Sequence, residues 1–220
     1  AGASMANQRQ VLGASMTAAS SAKVSRFLKL ANAYHLPVVT LVDVPGFIAT
    51  QEESVGQILS KGASLLMMYP NVMVPRISVV IDKAFGGAYC AMDSLTTSVR
   101  SRWQRHYGFT TGQIAVMGKE AGPFFTYGGA GADSSVRERN QERYDTEYLN
   151  MRLAFEGGFV LPLEPEELRQ RLLLEVPQLY ATYQEYWQQL VGQLALVQER
   201  CPQLWNELRY GALRGLIQPL

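Results

Sequence analysis

Apolar residues along the chain alternate between short continuous runs and stretches with helical spacing. Residues 36–42 and 77–81 are runs rich in Val, Ile and Leu, typical of strands buried on both faces of a parallel sheet. An earlier segment, 8–13, is predicted to be a short edge strand. Residues 20–34, which lie between that segment and the run at 36–42, carry apolar side chains at helical spacing. The chain is therefore predicted to begin as a β-helix-β unit.

A second unit repeats this layout. Residues 44–51 are predicted to form a loop, and Ser54 is placed to cap a helix that runs to about residue 69. The apolar residues expected to face inward are Val55, Ile58, Leu59, Leu65 and Leu66. After the strand at 77–81, Gly86 and Gly87 open another helix over residues 88–92. Repetition of strand, loop and helix predicts a layered α/β fold with helices outside the sheet.

The last third of the chain has a different pattern. Residues 137–148 are charged and predicted helical, and residues 164–208 form a long helical region divided by Pro177 and Pro202. We therefore expect a domain over residues 5–163 and a helical extension over 164–220. The extension is expected to pack on the core or on a neighbouring subunit, and a partner-binding role stays open.

Composition narrows the class of protein. The chain has 220 residues, 47% of them hydrophobic, and a net charge of +1, so neither disorder nor a general attraction to nucleic acid or membrane surfaces is expected. Apolar runs are strand-sized, which predicts no transmembrane segment. Cys90 and Cys201 are too few for a zinc ribbon or a disulfide framework, and they favour a cytoplasmic location. Residues 1–4 resemble a tag remnant and are left out of the fold prediction.

Two motifs set a buried strand against a glycine-bearing turn. They are VVTLVDVPGF at residues 38–47 and KAFGGAY at residues 83–89. A glycine lets backbone come close to a ligand, and N–H groups that converge at a helix start stabilise a developing oxyanion. Asp43 in the first motif is a candidate base by composition, but we expect it to cap the turn before Pro45 by accepting backbone N–H groups.

These motifs, with ANQ at residues 6–8 and QIAVMG at 113–118, resemble the C-terminal, biotin-side domain of the carboxyltransferase (beta) subunit of biotin-dependent acyl-CoA carboxylases. That family lies within the crotonase-like superfamily, so the resemblance implies an α/β fold of repeated β-β-α turns. It extends from about residue 6 to residue 160. No metal site is expected.

The resemblance implies roles for particular residues. Gly87 and Ala88 occupy the positions whose N–H groups hold the ureido oxygen of biotin during catalysis. Gly46, Phe47 and Gly86 are expected to line the biotin channel, and Cys90 falls where the family sets its acyl-chain preference. The implied cofactor is biotin on a separate carrier protein, and the substrate is an acyl-CoA or acyl-carrier thioester. The carboxyl group would move in either direction, by carboxylation or decarboxylation.

The same resemblance implies partners. In the family, an acyl-binding N-terminal half or a homologous subunit supplies most of the acyl-CoA site, and a biotin carboxyl carrier protein delivers the cofactor. A half without its counterpart exposes apolar surface, so we expect a homo- or hetero-oligomer. Activity is expected to need the partner half.

Some segments depart from the family pattern. The loop after Phe47 lacks a second Pro-Gly, and a different, glycine-rich segment follows Gly118. A basic stretch around Trp103 could hold phosphates or could be a solvated charged loop; its charged residues are Arg100, Arg102, Arg105 and His106. The altered loop after Phe47, the replaced segment after Gly118 and the lack of an acyl-binding half favour the alternative of a noncatalytic homologue, a structural or carrier-docking subunit. A crotonase-like hydratase or thioester hydrolase is the third reading, with Glu52 and Glu53 as its nearest acids, although both more simply begin a helix.

Overall fold

The computed structural model describes residues 2–94, 103–128, 133–149 and 151–210. Strands are β1 (Ala3–Ala6), β2 (Val38–Val44), β3 (Arg76–Phe85), β4 (Gln104–Phe109), β5 (Gln113–Ala115) and β6 (Leu161–Leu163). Helices are α1 (Ala18–Ala33), α2 (Gln51–Val55), α3 (Ile58–Met68), α4 (Gly86–Cys90), α5 (Gly122–Tyr127), α6 (Ser134–Tyr148), α7 (Arg152–Glu156), α8 (Leu168–Arg200) and α9 (Pro202–Tyr210). The fold is mixed α/β, as the sequence predicts.

All described strand pairs are parallel, and they form one six-stranded sheet. The order is β1-β2-β3-β4-β6, with β5 added beside β3. Strand β3 is shared along its length, because its first half pairs with β4 and its last three residues pair with β5. Consecutive residues of β3, Val79 and Val80, point to opposite faces, and they are 0% and 2% exposed. The sheet is therefore covered on both faces, which explains its continuous apolar runs.

The first strand is not where the sequence places it. Residues 8–13 do not form an edge strand; they lie in turns and the start of a 3-10 helix. The strand is β1, which pairs with β2 in the register of Ala3 with Val38 and Ala6 with Leu41. Excluding residues 1–4 from the fold was therefore wrong for Ala3 and Ser4, which lie in β1. Small and polar side chains over this short strand give a weak sequence signal.

Helix α1 begins with a capping box and with help from a distant residue. Thr17 accepts a hydrogen bond from the Ser20 N–H at 3.0 Å, and the Ser20 hydroxyl accepts one from the Thr17 N–H at 2.8 Å. The Glu53 carboxylate accepts from the Ala18 N–H at 2.6 Å. Glu53 lies in the first turn of α2, so one side chain links the starts of two helices.

The single helix predicted after residue 54 is two helices. Thr50 caps α2 through the Glu53 N–H at 3.2 Å, so Ser54 lies inside the helix. Gln57 then adopts a left-handed φ of 64°, and α3 starts afresh at Ile58. Because of this break, the residues that face the core differ from those predicted for a single helix. Ile58 and Leu65 are buried and Leu66 is half-buried, but Val55 and Leu59 are exposed, contrary to the prediction.

Helix α8 lies against the sheet domain through aromatic side chains. Tyr183, which is 2% exposed, bonds His35 Nδ1 through its hydroxyl at 2.5 Å and packs edge-on against Trp103. The Tyr107 hydroxyl donates to Glu175. Pro177 does not divide this helix, which continues from Leu168 to Arg200, whereas Pro202 does start α9. The predicted domain boundary at residue 163 stays a prediction.

Within the described ranges, no helix combines the length and the apolar character needed to span a membrane.

Candidate functional site

The site lies where parallel strands β2 and β3 end. In parallel sheets, connections that leave the carboxyl ends of strands meet at one edge and form the binding crevice. The loop at residues 45–50 follows β2, and α4 follows β3 directly. Val44 and Ala84 are partners at this end of the ladder. The sheet therefore brings the two glycine motifs of the sequence side by side.

Gly86 makes the sharp turn from β3 into α4. Its φ is +55°, in the left-handed region that favours glycine. A Cβ at this position would lie 3.0 Å from the carbonyl oxygen of Val116. Both the conformation and the close approach of backbone therefore require glycine here.

Gly87 and Ala88 supply N–H groups in the first turn of α4, directly after Gly86. The first turn of a helix has no intrahelical carbonyl partners for its N–H groups. Gly87 is exposed, and a Cβ built on it meets no atom within 4 Å, while the Ala88 side chain is 1% exposed. The helix start thus offers N–H donors beside open space, held in place by a buried neighbour.

Gly46 and Phe47 are anchored from the opposite side. The Met16 N–H donates to the Gly46 carbonyl and the Ile48 N–H donates to the Met16 carbonyl, both at 2.9 Å. The Phe47 ring packs on α3, where a Cβ at Gly62 would lie 3.1 Å from its Cζ. The ring therefore faces the helix layer. Its expected place in a biotin channel stays a prediction.

A cavity of about 370 Å³ joins the two motifs. Pro45, next to Gly46, and Phe85, next to Gly86, both line it. The other lining residues are Asp82, Lys83, Gln113, Gly118, Lys119 and Glu120. Both ends of the segment 113–118, Gln113 and Gly118, line this cavity, and Val116 between them is 76% exposed.

An ion cluster beside this cavity escapes sequence reasoning. Arg9 Nε donates to Asp43 at 2.8 Å, and Arg9 also pairs with Asp82. The hydrogen bond to Asp43 and its charge raise the pKa of Arg9. Pairing across 34 positions has no local sequence signal. The only available hint is that an Asp at the end of a buried strand needs a partner.

Asp43 does not cap the turn before Pro45. Its Oδ1 accepts from the Lys83 N–H on the adjacent strand at 3.3 Å, and its own N–H donates to Asn7 Oδ1 at 3.1 Å. The role is structural, as predicted, but the partners of Asp43 lie on two other segments: Asn7 and Arg9 follow β1, and Lys83 belongs to β3. Asp43 is 4% exposed and paired, and nothing in the structure presents it as a base.

The described part of the basic stretch near Trp103 enters a strand, β4, from Gln104 onward and does not form a loop there. Arg100 and Arg102 lie outside the described residues. Trp103 and His106 are buried, with Trp103 Nε1 donating to the Met73 carbonyl at 3.0 Å and His106 Nδ1 bonded to Ser78 Oγ at 2.6 Å. Arg105 donates to the Gln104 carbonyl at 2.8 Å. Residues 104–109 form strand β4, so both interpretations of this stretch are wrong for the described residues.

Cys90 ends α4 and is half-buried. It forms no disulfide with a described residue, and its carbonyl accepts from Ser94 Oγ at 3.5 Å. Burial raises the pKa of its neighbour Tyr89. The role of Cys90 in substrate selectivity stays a prediction.

Comparison with known proteins decides the family. The family model described as "Carboxyl transferase domain" matches residues 4–182. The chain belongs to the carboxyl transferase domain family. The resemblance seen in the sequence motifs is thereby confirmed.

The curated relatives of this carboxyl transferase domain are longer proteins, of which the chain covers only a part. It is 34% identical over 156 residues to the propionyl-CoA carboxylase beta chain of Cereibacter sphaeroides, covering 71% of this chain and 30% of that protein. It is 33% identical over 172 residues to the methylmalonyl-CoA decarboxylase subunit alpha of Veillonella parvula, covering 75% of this chain and 31% of that protein. The chain therefore spans about a third of the length of these relatives.

Solved structures agree on the fold of the carboxyl transferase domain. Transcarboxylase 12S, a hexamer crystallised with methylmalonyl-coenzyme A and methylmalonic acid, superposes with a TM-score of 0.73 and 29% identity. That match covers 81% of this chain and 34% of the transcarboxylase chain. The predicted crotonase-like α/β class is confirmed.

Proposed function

We propose that this chain is the biotin-side part of a carboxyltransferase. It would move a carboxyl group between N1-carboxybiotin and the α-carbon of an acyl thioester, in the direction of carboxylation or decarboxylation. The names of its relatives, a carboxylase and a decarboxylase, support the reaction class. The observation that carries the proposal is the open start of α4, where Gly87 faces free space.

The residues present fit a ureido ligand. An N–H pair at a helix start suits an oxygen that gains negative charge, and side chains are absent at Gly87, where a ring would have to approach. Bound biotin supplies a ureido nitrogen that carries the carboxyl group. Gly87 and Ala88 would donate to the ureido oxygen, and loss of one such donor typically costs about 3 kcal/mol of transition-state stabilisation.

Other residues would position rather than react. Gly86 sets the angle of the helix start because its backbone lies against the Val116 carbonyl. Gly46 is fixed through Met16, so the loop that faces α4 keeps its shape. No side chain is assigned as a general base. The chain would orient the two reactants and stabilise charge.

Partners follow from the proposal. Because the chain spans about a third of its relatives, an acyl-binding counterpart and a biotin carboxyl carrier protein would complete the reaction. Exposed aromatic and aliphatic side chains support association. Phe124 and Phe125 are 52% and 69% exposed and stack edge to face, and Val11 and Leu12 are 60% and 59% exposed. A homo- or hetero-oligomer is the expected assembly.

The direct test is the biotin half-reaction, because the residues proposed to act in it, Gly87 and Ala88, both belong to this chain; it is measured on the chain alone and together with the counterpart subunit. In decarboxylation of N1-carboxybiotin, the N1–C bond breaks, CO₂ leaves, and water returns a proton to the ureido group. Wild-type chain should accelerate CO₂ release, and Gly87→Val should reduce the acceleration about a hundredfold by filling the open space before the donors. Transfer of labelled carboxyl to an acyl thioester with the counterpart subunit should fall in parallel.

Gly192→Val is the matched control. Gly192 also lies in a helix with nothing within 4 Å of an added Cβ, so the substitution has the same helix cost without reaching the site. An equal loss of carboxybiotin decarboxylation in Gly87→Val and Gly192→Val would contradict the proposal. A folded wild type that accelerates neither reaction would identify the alternative, a noncatalytic structural or carrier-docking homologue.

A further inference from the structure

A buried ion pair joins the start of β3 to the segment that follows α4. Arg76 Nε lies 3.2 Å from Asp93 Oδ1, and the two side chains are 2% and 1% exposed. Arg76 is the first residue of β3, and Asp93 comes three residues after the end of α4. Burying two charges is costly, so such a pair is weak evidence for a gain in stability. A role in arranging the chain explains the pair better.

The guanidinium of Arg76 is also held by backbone carbonyls. Its Nη1 donates to the carbonyls of Tyr69 and Val72 at 2.7 and 2.8 Å. Tyr69 begins the short 3-10 turn that directly follows α3, and Val72 ends that turn. Because the guanidinium is planar and its donors have fixed directions, Arg76 ties Asp93 to the exit of α3.

Asp93 has a backbone conformation that depends on its surroundings. Its φ is +61°, in the left-handed region that residues other than glycine seldom adopt. Asp93 and the two residues before it, Ala91 and Met92, are at most 2% exposed. Strain of this kind persists where surrounding contacts enforce it, and it clusters at functional sites. The ion pair is one of the contacts that hold Asp93 in place.

Backbone hydrogen bonds connect this segment to the proposed oxyanion donors. The Ala91 N–H donates to the Gly87 carbonyl at 3.1 Å, and the Met92 N–H donates to the Tyr89 carbonyl at 2.9 Å. Gly87 and Ala91 therefore belong to one turn, and Asp93 follows that turn by two residues. Helix α4 has only five residues, so a displacement at its end reaches its first turn.

Helix α3 is a common reference for both glycine motifs of the site. The Phe47 ring, next to Gly46, packs on Gly62 in the middle of α3. Arg76 links the exit of the same helix to the end of α4. Functional groups must be held to within about 0.5 Å of their productive geometry. The ion pair therefore contributes to the spacing between the loop at Gly46 and the start of α4.

We propose that Arg76 and Asp93 are positioning residues, whose buried pair keeps the N–H groups of Gly87 and Ala88 directed at the oxygen that gains negative charge. This rests on the proposed function, which assigns that oxygen to the ureido group of biotin. Both residues act through α4, since the described lining of the cavity between the two motifs contains neither of them.

The first experiment measures N1-carboxybiotin decarboxylation by Asp93→Asn, on the chain alone and with the counterpart subunit. Asn keeps the size of the side chain and tolerates a left-handed φ, but it removes the negative charge beside Arg76. The kcat should fall about tenfold while KM changes less than about twofold, because misdirected donors weaken the transition state more than the bound ground state. An unchanged kcat in folded Asp93→Asn would overturn the proposal.

Leu163→Ala is the control for lost stability. Leu163 is 1% exposed in β6, which lies at one edge of the sheet and pairs with β4. Urea denaturation gives the folded fraction of each variant, and the kcat of folded Leu163→Ala should stay within about twofold of wild type. If kcat falls equally in Leu163→Ala and Asp93→Asn, the rate follows stability alone and the proposal is wrong.

Removing both charges separates positioning from stability, and it provides a second variant if Asp93→Asn does not fold. The double variant Arg76→Gln with Asp93→Asn leaves no charge at the pair, so its stability should exceed that of Asp93→Asn. A Gln amide has a single nitrogen and cannot bond residue 93 and the carbonyls of Tyr69 and Val72 together, so kcat should stay low. Recovery of both stability and kcat would contradict the proposal.

A readout without turnover keeps this inference apart from the proposed function. The backbone ¹H–¹⁵N signals of Gly87 and Ala88 should shift in Asp93→Asn and should stay in place in Leu163→Ala. Wild type that does not accelerate decarboxylation would refute the proposed function, and these signals alone would then decide whether the pair sets the start of α4. Unmoved signals in folded Asp93→Asn would refute the inference even in an active enzyme.

Discussion

The ring of Phe47 rests on the backbone of Gly62, with only 3.1 Å between the ring Cζ and the position a Cβ would occupy. Phe47 belongs to the loop after β2, and Gly62 lies in the middle of α3 and is buried. The glycine therefore fixes how deeply the ring sits. Through the ring, α3 sets the position of Gly46.

We expect Gly62→Ala to move the loop without unfolding the chain. An alanine gains about 1 kcal/mol of helix propensity, while the crowded ring opposes it by about 1–3 kcal/mol. Net stability should change by less than about 2 kcal/mol, but carboxybiotin decarboxylation should fall severalfold because Phe47 shifts. Stopped-flow CO₂ detection and thermal unfolding measure the two effects. Gly192→Ala, in open space, should leave decarboxylation at the wild-type rate.

The Arg9–Asp43 pair should contribute to stability through the buried carboxylate. The Asp43 carboxylate keeps only its bond from the Lys83 N–H when Arg9 is removed. Since the Arg9 side chain is 60% exposed, the expected loss for Arg9→Met is about 1–2 kcal/mol, below that of a fully buried pair. Urea denaturation measures it.

A double-mutant cycle isolates this pair. The double variant Arg9→Met with Asp43→Asn should be less destabilised than the sum of the single variants, because it leaves no unpaired buried charge, whereas Arg9→Met alone leaves the Asp43 carboxylate without its cation. Asp82→Asn serves as the comparison, since that side chain is 31% exposed and should cost less. Simple additivity of Arg9 and Asp43 would show that the buried carboxylate does not depend on Arg9.

His106 should make stability fall in mildly acidic solution. Burial lowers the pKa of His106, with Asp93 opposing and Arg76 adding to the effect. Below a pH of about 6.5, the unfolded chain takes up this proton before the folded chain does, so unfolding becomes easier. Stability is retained above that pH and is lost as the pH falls toward the folded pKa.

The role of His106 is checked by urea denaturation between pH 7.5 and pH 5. The free energy of unfolding is compared between the wild-type protein and His106→Asn. The Asn side chain can still bond Ser78 Oγ, so the variant should fold, and its stability should depend less on pH over this interval. Parallel curves for the two proteins would mean that other groups cause the acid sensitivity.

Glu53 should stabilise the start of α1 from a distance. Glu53→Ala removes the acceptor of the Ala18 N–H and should cost about 1 kcal/mol, as for other helix caps. Glu52→Ala is a matched control in the same turn of α2, where the side chain is exposed. The midpoint of thermal unfolding should be several degrees lower for Glu53→Ala than for Glu52→Ala. Equal midpoints would show that the link between α1 and α2 carries no stability.

Several secondary-structure elements could be predicted from the sequence, because they depend on interactions between neighbouring residues. Apolar runs gave β2 and β3, because strands covered on both faces must be apolar throughout, and helical spacing gave α1. Gly86 and Gly87 marked the turn into α4, since a left-handed residue followed by a helix start favours glycine. Family membership also followed from these motifs, because the same residues that form the turn carry the resemblance.

Only the tertiary structure decided what lies beside the site. Arg9 meets Asp43, Glu53 meets the Ala18 N–H, and His35 meets Tyr183 across separations of 34 to 148 positions, which no local pattern encodes. Burial of Trp103 and His106 in the sheet likewise depended on pairing of β4 with β3. Pairing of β2 with β3 also brought Pro45 and Phe85 to the same cavity. Sequence fixes local conformation through sterics and hydrogen bonding, whereas long-range packing chooses which segments meet.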